Sequence, residues 1–175
     1  MSLKSTLAQR LLAAGVAANM VAGAAFIGLR EGEVRTVYPD AGGVHTYCFG
    51  GTLPADNGRT FTEQECTEQL LRDTERFWYG VAEEVQRDMP GSVHASMTSA
   101  AYNAGLGGFR TSPMLPHLRD GNWEAACAAL VAPWRTSKGT ARGWRATVQL
   151  VPHKGLENRR AAEYELCIQD LREGG

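Results

Sequence analysis

The most informative stretch of the chain reads Glu31-Gly32-Glu33-Val34-Arg35-Thr36-Val37-Tyr38-Pro39-Asp40-Ala41-Gly42-Gly43-Val44-His45-Thr46. Within it, the carboxyl group of Glu31 precedes that of Asp40 by nine positions, and Thr46 follows six positions later. Two carboxyl groups held near each other can act as a general acid and a general base. Each residue alone has an ordinary structural explanation, and it is their joint spacing that makes them candidate catalytic residues.

The residues after this motif predict a small β-structure followed by a long helix. Side chains alternate over 34–53, with a turn at 40–43. Thr62 and Glu65 have the spacing of a capping box, in which each residue bonds the backbone N–H of the other. An apolar face at helical spacing then predicts a long helix over 62–89.

The remainder of the chain predicts shorter helices. Periodicity and breaker residues indicate helices at 93–104, 112–119, 123–131 and 155–172, with Asn122 as the N-cap of the third.

Together the elements predict an α+β fold that is mainly helical and has two lobes. The small β-lobe spans about 34–56, the linking helix about 62–89 and the larger helical lobe about 90–172. A cleft between two such lobes suits an extended polymer.

The motif resembles the active-site stretch of phage-type lysozymes, the family that includes the T4-like endolysins. The shared pattern is Glu-Gly followed by Tyr-x-Asp-x-x-Gly-x-x-Thr. The Ala-Tyr-Asn-Ala-Gly sequence at 101–105 resembles the family's aromatic-Asn-x-Gly helix. The sequence at 155–163 resembles its terminal Gly-Leu-x-x-Arg-Arg-x-x-Glu helix. The similarity extends over about residues 30–170, and the family's fold is lysozyme-like.

The resemblance implies a lysozyme, a glycoside hydrolase that cleaves the β-1,4 bond between N-acetylmuramic acid and N-acetylglucosamine in peptidoglycan glycan strands. It implies inverting chemistry without a cofactor, with Glu31 as general acid, Asp40 as general base and Thr46 orienting the attacking water. Inversion requires carboxyl groups roughly 6.5–9.5 Å apart. Two alternatives stay open: a lytic transglycosylase, which needs no water-activating Asp, and a non-catalytic membrane lysis protein.

One position departs from the family pattern. Many members have Gly-His-Thr after the strand, where this chain has Gly50-Gly51-Thr52, of which we expect Gly50 and Gly51 to lie in a loop. The missing His is not one of the three catalytic positions, so the departure affects a local contact and not the reaction.

The first 29 residues predict a membrane or export element ahead of a catalytic domain at 30–175. Residues 11–29 carry no charge and are long enough to span a bilayer as a helix, but Ala, Gly and Asn19 make the segment only weakly apolar. Lys4 and Arg10 precede it, which predicts a cytoplasmic N-terminus. A weak anchor, a cleaved signal peptide and a buried core helix are the three possible interpretations.

A catalytic Glu31 directly after the apolar segment favours an anchor that is retained. By resemblance, the segment is similar to the signal-arrest-release anchors of some endolysins, which leave the inner membrane and refold to assemble the site in the periplasm of a Gram-negative host.

All four cysteines follow the apolar segment, as expected for an exported domain in an oxidising compartment. Cys48, Cys66, Cys127 and Cys167 allow three pairings. We expect Cys48–Cys66, joining the β-lobe to the long helix, and Cys127–Cys167, joining two C-terminal helices.

The charge balance argues against a nucleic-acid partner. The chain has 18 Lys and Arg against 19 Asp and Glu, a net charge of -1, and no block of like charge. Phosphate-driven binding depends on a concentrated positive surface. The composition is that of a single folded domain, which we expect to act as a monomer.

Overall fold

A computed structural model of the chain describes residues 7, 9–11, 18–40, 43–55 and 58–173. The chain divides into two compact units, Met1–Arg76 and Phe77–Gly175.

The Met1–Arg76 unit joins a helix to a small sheet and to the first part of a second helix. Its elements are α1 (Ala18–Glu31), β1 (Val34–Pro39), β2 (His45–Cys48), β3 (Gly51–Leu53) and α2 (Glu63–Val85), which continues past Arg76. The strands form an antiparallel sheet in the order β1-β2-β3.

The capping box predicted at the start of α2 is present. The side chain of Glu65 accepts hydrogen bonds from the backbone N–H of Thr62 at 2.8 Å and from its hydroxyl at 3.0 Å. The Thr62 hydroxyl in turn accepts the backbone N–H of Glu65 at 3.2 Å. These bonds satisfy donors that a helix start otherwise leaves unpaired and define where α2 begins.

Apolar residues from the N-terminal region form much of the core of this unit. Leu11, Ala24 and Ile27 are fully buried, and Leu7 is 6% exposed. Gly28 allows the close approach, because a Cβ there would lie 2.7 Å from Cδ2 of Leu7 and 2.9 Å from Cδ2 of Leu70 in α2. The end of α1 that carries Glu31 is therefore packed on α2.

The Phe77–Gly175 unit is built from helices and two β-hairpins. After the end of α2 come α3 (Gly91–Ala104), α4 (Leu106–Arg110), α5 (Met114–Asp120), α6 (Trp123–Val131), β4 (Pro133–Thr136), β5 (Gly139–Arg142), β6 (Thr147–Val148), β7 (Val151–Pro152), α7 (Lys154–Cys167) and α8 (Gln169–Glu173). Its core is a single apolar cluster in which Phe109, Leu130 and Trp144 are among the largest buried side chains.

Several element boundaries differ from the sequence prediction. The long helix ends at Val85 instead of 89, because Gln86 has a left-handed backbone with φ of 57°. The final helix of 155–172 is divided into α7 and α8, since the Cys167 carbonyl accepts the Ser92 hydroxyl at 3.0 Å.

Other differences concern strands and a cap. Gly51, expected in a loop, begins β3, and the two hairpins within 133–152 were not predicted at all. Asn122 does occupy the N-cap position of α6, but its side chain makes no capping hydrogen bond.

The structure contains both expected disulfides, one in each unit. Cys48–Cys66 joins β2 to α2, and Cys127–Cys167 joins α6 to α7. Each closes a loop in the unfolded chain, of 18 and 40 residues respectively, and so restricts the unfolded state.

Among the described residues, no helix is both long and apolar enough to cross a membrane. The predicted membrane segment at 11–29 includes residues 12–17, which lie outside the described residues.

Candidate active site

Glu31 lies at the C-terminal end of α1, where the carboxyl group is placed against the sheet. Its side chain is half-buried. A Cβ on Gly50, in the turn between β2 and β3, would lie 3.5 Å from Oε2 of Glu31. Gly50 also has a left-handed φ of 84°, a conformation that side chains other than Gly disfavour. Glycine at 50 is therefore explained by the turn, and the carboxyl group of Glu31 lies in ordinary contact distance of it.

The turn beneath Glu31 is held by the long helix. The backbone N–H of Phe49 donates to Oε1 of the buried Gln69 side chain at 3.0 Å, and Nε2 of Gln69 donates to Asp73 at 2.6 Å. The Cys48–Cys66 disulfide joins the same two segments. The hydrogen bond to Gln69 and the disulfide together hold the turn next to Glu31 against α2. Gln69 was not among the residues singled out from the sequence.

Asp40 and Thr46 meet on the hairpin that joins β1 to β2. The backbone N–H of Val44 donates to Oδ1 of Asp40 at 2.9 Å, and the hydroxyl of Thr46 donates to the Val44 carbonyl at 3.0 Å. The Asp40 N–H also donates to that carbonyl at 2.9 Å. One residue of the turn thus positions both candidate catalytic side chains.

The register of the sheet decides how Thr46 is presented. Thr46 is opposite Tyr38 on β1 and Thr52 on β3, so the three side chains share one face of the sheet. Asp40 is exposed, whereas Thr46 is only 6% exposed. Because the Thr46 hydroxyl gives its proton to Val44, its oxygen is left to act as an acceptor.

All three candidate residues predicted from the sequence therefore belong to the Met1–Arg76 unit. Glu31 ends its helix against the β2–β3 turn, and Asp40 and Thr46 are fixed on the β1–β2 hairpin of the same sheet.

The departure at Gly51 has a steric cause. A Cβ on Gly51 would lie 2.9 Å from Cε1 of Tyr47 and 3.1 Å from Cδ of Gln69. The Tyr47 ring is itself stacked on Phe61, with ring centroids 4.3 Å apart. The side chain of Tyr47 therefore fills the space next to position 51, at which many family members carry His.

Arg10 was expected from the sequence only to orient the N-terminus in a membrane, but it also forms hydrogen bonds within the fold. Its guanidinium donates to Glu63 Oε1 at 2.7 Å and Glu33 Oε2 at 3.1 Å, and its Nε donates to Thr67 at 2.8 Å. Glu33 is therefore ion-paired with Arg10. Arg10 thereby links Glu33, two residues after Glu31, to the N-terminal region and to α2.

The terminal Arg-Arg-x-x-Glu motif forms a buried network within the Phe77–Gly175 unit. Arg160 is fully buried and donates to Asn103 Oδ1 at 2.6 Å, to the Trp144 carbonyl at 2.8 Å and to Glu163. Arg159 pairs with Glu163 at 3.2 Å. These charges are paired with one another and with backbone groups, which is what allows them to be buried.

Comparisons with known proteins agree with this architecture. The family model described as Phage lysozyme matches residues 29–163. The SAR-endolysin of Bacteriophage PS119 is 32% identical over 142 residues, covering 79% of this chain and 76% of the relative. That of Enterobacteria phage P21 is 32% identical over 139 residues, covering 79% and 77%.

Solved structures give the same fold. The active form of the P1 phage endolysin Lyz superposes with a TM-score of 0.79 at 22% identity, covering 98% of this chain and 96% of that one. The secreted inactive form of Lyz gives 0.55 at 22% identity, covering 86% and 95%. The fold described here is thus nearer to that of the first form.

The fold is lysozyme-like, and Glu31, Asp40 and Thr46 are the candidate catalytic residues on it. The chain belongs to the phage lysozyme family.

Proposed function

We propose that the protein is an endolysin that hydrolyses the β-1,4 bond between N-acetylmuramic acid and N-acetylglucosamine in peptidoglycan and thereby lyses its host cell. The observation that carries the proposal is the joint positioning of Asp40 and Thr46 by Val44, on the same sheet whose β2–β3 turn contacts Glu31. Its relatives named SAR-endolysin support the role in lysis.

The reaction we propose divides three tasks among these residues. Glu31 gives its proton to the leaving glycosidic oxygen. Asp40, as a carboxylate, takes a proton from a water molecule, whose oxygen attacks the anomeric carbon from the opposite face. The Thr46 oxygen accepts the second hydrogen of that water and so orients it. The attack inverts the anomeric centre, and the first product carries an α-hydroxyl.

A first test uses purified full-length protein and isolated peptidoglycan. We expect Glu31→Gln to lose at least a hundredfold of the wall-clearing activity, since general acid–base groups contribute about that much or more. Glu75→Gln is the matched control, because it neutralises an exposed carboxylate on α2 that is not one of the candidate catalytic residues. Wall clearing by Glu31→Gln at the rate of the unmodified protein would contradict the proposal.

Product analysis tests the chemistry itself. Proton NMR early in the reaction should show the α-anomer at the new reducing end. A β-anomer would contradict inversion, and 1,6-anhydro ends would identify a lytic transglycosylase instead.

We further propose that residues 11–29 first hold the protein in the inner membrane of a Gram-negative host and that the protein then leaves the bilayer for the periplasm. The support is that apolar side chains suited to a bilayer are the ones buried in the fold. Met20, Val21, Ala24 and Ile27 are each at most 7% exposed, as are Leu7 and Leu11. Leaving the bilayer therefore exchanges lipid contacts for protein contacts and does not expose these side chains to water.

Arg10 would serve both states in this proposal. Ahead of the apolar segment, its charge favours a cytoplasmic N-terminus. In the folded protein, the same guanidinium binds Glu33 and Glu63. Since Glu33 is two residues from Glu31, release of the segment would fix the catalytic acid at the same time.

A further inference from the structure

Two adjacent β-hairpins in the Phe77–Gly175 unit form a surface that is separate from the candidate catalytic residues in sequence and chemistry. They are β4–β5 and β6–β7, within residues 133–152. The Thr136 hydroxyl joins their tips, because it donates to the Leu150 carbonyl at 2.5 Å and accepts the backbone N–H of Lys138 at 3.1 Å. We call residues 133–154 the hairpin surface.

The tip of the second hairpin is apolar and exposed. Val148, Leu150 and Val151 are 49%, 50% and 48% exposed. They account for three of the seven large hydrophobic side chains exposed in the described part of the chain, within four consecutive positions. Gln149 and Leu150 form the turn with φ of 48° and 70°, where Gly or Asn is the ordinary choice. A leucine held at this position in water needs an explanation other than folding.

The same surface concentrates positive charge. Residues 125–156 contain no Asp or Glu but five basic residues, Arg135, Lys138, Arg142, Arg145 and Lys154. The rest of the chain holds 18 - 5 = 13 basic and 19 acidic residues, a net of -6. Lys154 pairs with Glu157 at 3.8 Å, but within the described residues no carboxylate forms a salt bridge with Arg135 or Lys138. The surface is therefore cationic on an otherwise acidic protein.

The hairpin surface combines exposed aliphatic side chains with positively charged ones, and this combination favours one class of binding partner. A second copy of the chain would place two cationic surfaces together. A soluble polyanion would bind the charges but leave Val148, Leu150 and Val151 in water. An anionic bilayer satisfies both features, because its phosphates attract Lys and Arg while its acyl boundary takes up aliphatic side chains.

We propose that the hairpin surface docks the protein on an anionic phospholipid bilayer. This docking does not depend on residues 11–29 or on the hydrolytic reaction, so it can fail while the proposed function stands. It would hold the enzyme at a membrane surface through the unit that does not contain Glu31, Asp40 and Thr46.

Co-sedimentation of the purified full-length protein with vesicles tests the proposal. One set contains phosphatidylethanolamine with phosphatidylglycerol, and the other contains phosphatidylcholine alone, which reports uncharged binding through residues 11–29. The charge variant is Arg135→Gln with Lys138→Gln, and the apolar variant is Val148→Thr, Leu150→Thr and Val151→Thr. Matched controls are Arg72→Gln with Arg87→Gln, and Tyr79→Thr, all at exposed positions on or after α2.

We expect both hairpin variants to weaken binding to the anionic vesicles while neither control does. Two lost charges should cost about twenty-fivefold, since each Lys or Arg near an anionic surface contributes about fivefold. The apolar variant should lose at least tenfold, and all variants should keep their activity on isolated peptidoglycan, which also shows that they fold.

Four results would overturn the proposal. One is unchanged anionic-vesicle binding in both hairpin variants, and another is wild-type binding that is equally strong to phosphatidylcholine. The third is loss in the charge variant alone, which would identify a site for a soluble polyanion. Sedimentation equilibrium showing a dimer that the apolar variant abolishes would likewise replace the bilayer with a second copy.

Discussion

Asp40 and Thr46 are bound to the two polar groups of a single residue, Val44. The N–H of Val44 holds Oδ1 of Asp40 at 2.9 Å, and its carbonyl accepts the Thr46 hydroxyl at 3.0 Å. Any movement of this turn displaces both side chains together. The carboxylate and the hydroxyl therefore behave as one unit whose geometry depends on the β1–β2 hairpin.

The hydroxyl of Thr46 should be required for hydrolysis but not for folding. Thr46→Val keeps the shape of a side chain that is 6% exposed and removes the oxygen that would orient water. We expect kcat to fall about a hundredfold or more with a small change in KM, and Thr46→Ser to keep most activity. Steady-state kinetics measures both, with Thr52→Val, directly opposite on β3, as the matched control. Full activity in Thr46→Val would remove the residue from the mechanism.

Gly51 should not tolerate even a methyl group while Tyr47 is present. A Cβ at 51 would lie 2.9 Å from the Tyr47 ring and 3.1 Å from Gln69. We expect Gly51→Ala to destabilise the protein by about 1–3 kcal/mol, the usual cost of overpacking. Urea unfolding measures this change. The double variant with Tyr47→Leu should recover part of the loss, and simple additivity of the two changes would contradict the steric explanation.

Arg10 should stabilise the folded N-terminal region through its charge-assisted hydrogen bonds. Its side chain is 20% exposed, and it reaches Glu63, Glu33 and Thr67. We expect Arg10→Gln to lower the free energy of unfolding by about 1–2 kcal/mol and Arg10→Lys to recover only part of it, because Lys lacks the guanidinium fork. Thermal unfolding at low and high salt measures the effect, with the exposed Arg72→Gln as control. If Arg10→Gln, Arg10→Lys and Arg72→Gln all have the same free energy of unfolding, the hydrogen bonds of Arg10 contribute nothing to stability.

Added apolar surface in α1 should keep the protein in the membrane by two separable routes. Gly28→Leu adds a leucine where a Cβ already approaches Leu7 and Leu70 within 3 Å, so it should favour the bilayer and destabilise the folded form. Ala22→Leu adds similar hydrophobicity at an exposed position and should favour only the bilayer.

Cell fractionation and unfolding of the purified proteins distinguish these routes. We expect both variants to increase in the membrane fraction and to delay lysis, but only Gly28→Leu to unfold more easily. Normal release of both variants would contradict the proposed membrane step while leaving the hydrolytic reaction untouched.

The stability of the protein should fall with acidification because of His94. Burial beneath the Trp78 ring lowers the pKa of His94 below its ordinary 6.5, against the opposing effect of a hydrogen bond with the Trp78 carbonyl. The unfolded chain then binds the proton more readily, so stability is full above about pH 6.5 and is lost as the pH falls from there towards the lowered pKa. Urea unfolding between about pH 7.5 and 5 should show this slope, and His94→Gln should flatten it. An identical slope in the variant would assign the loss to other groups.

Short-range spacing, together with the family resemblance of the motif, was enough to predict the candidate site. Glu31, Asp40 and Thr46 lie within sixteen residues, and a helix end, a turn and a strand place them by local rules. The capping box at Thr62 and Glu65 is equally local, and its hydrogen bonds are present. Cysteine positions narrowed the disulfides to three pairings, of which the structure contains the expected one.

Only the tertiary structure decided which distant residues support those local features. Gln69 holds the turn next to Glu31 through the backbone N–H of Phe49, 20 positions away, and it lies outside the motif that suggested the chemistry. The same is true of Arg10, whose partners Glu33 and Glu63 are 23 and 53 positions away in the chain. The physical reason is that periodicity and capping act over a few residues, whereas buried hydrogen bonds and close packing depend on which surfaces the whole chain brings together.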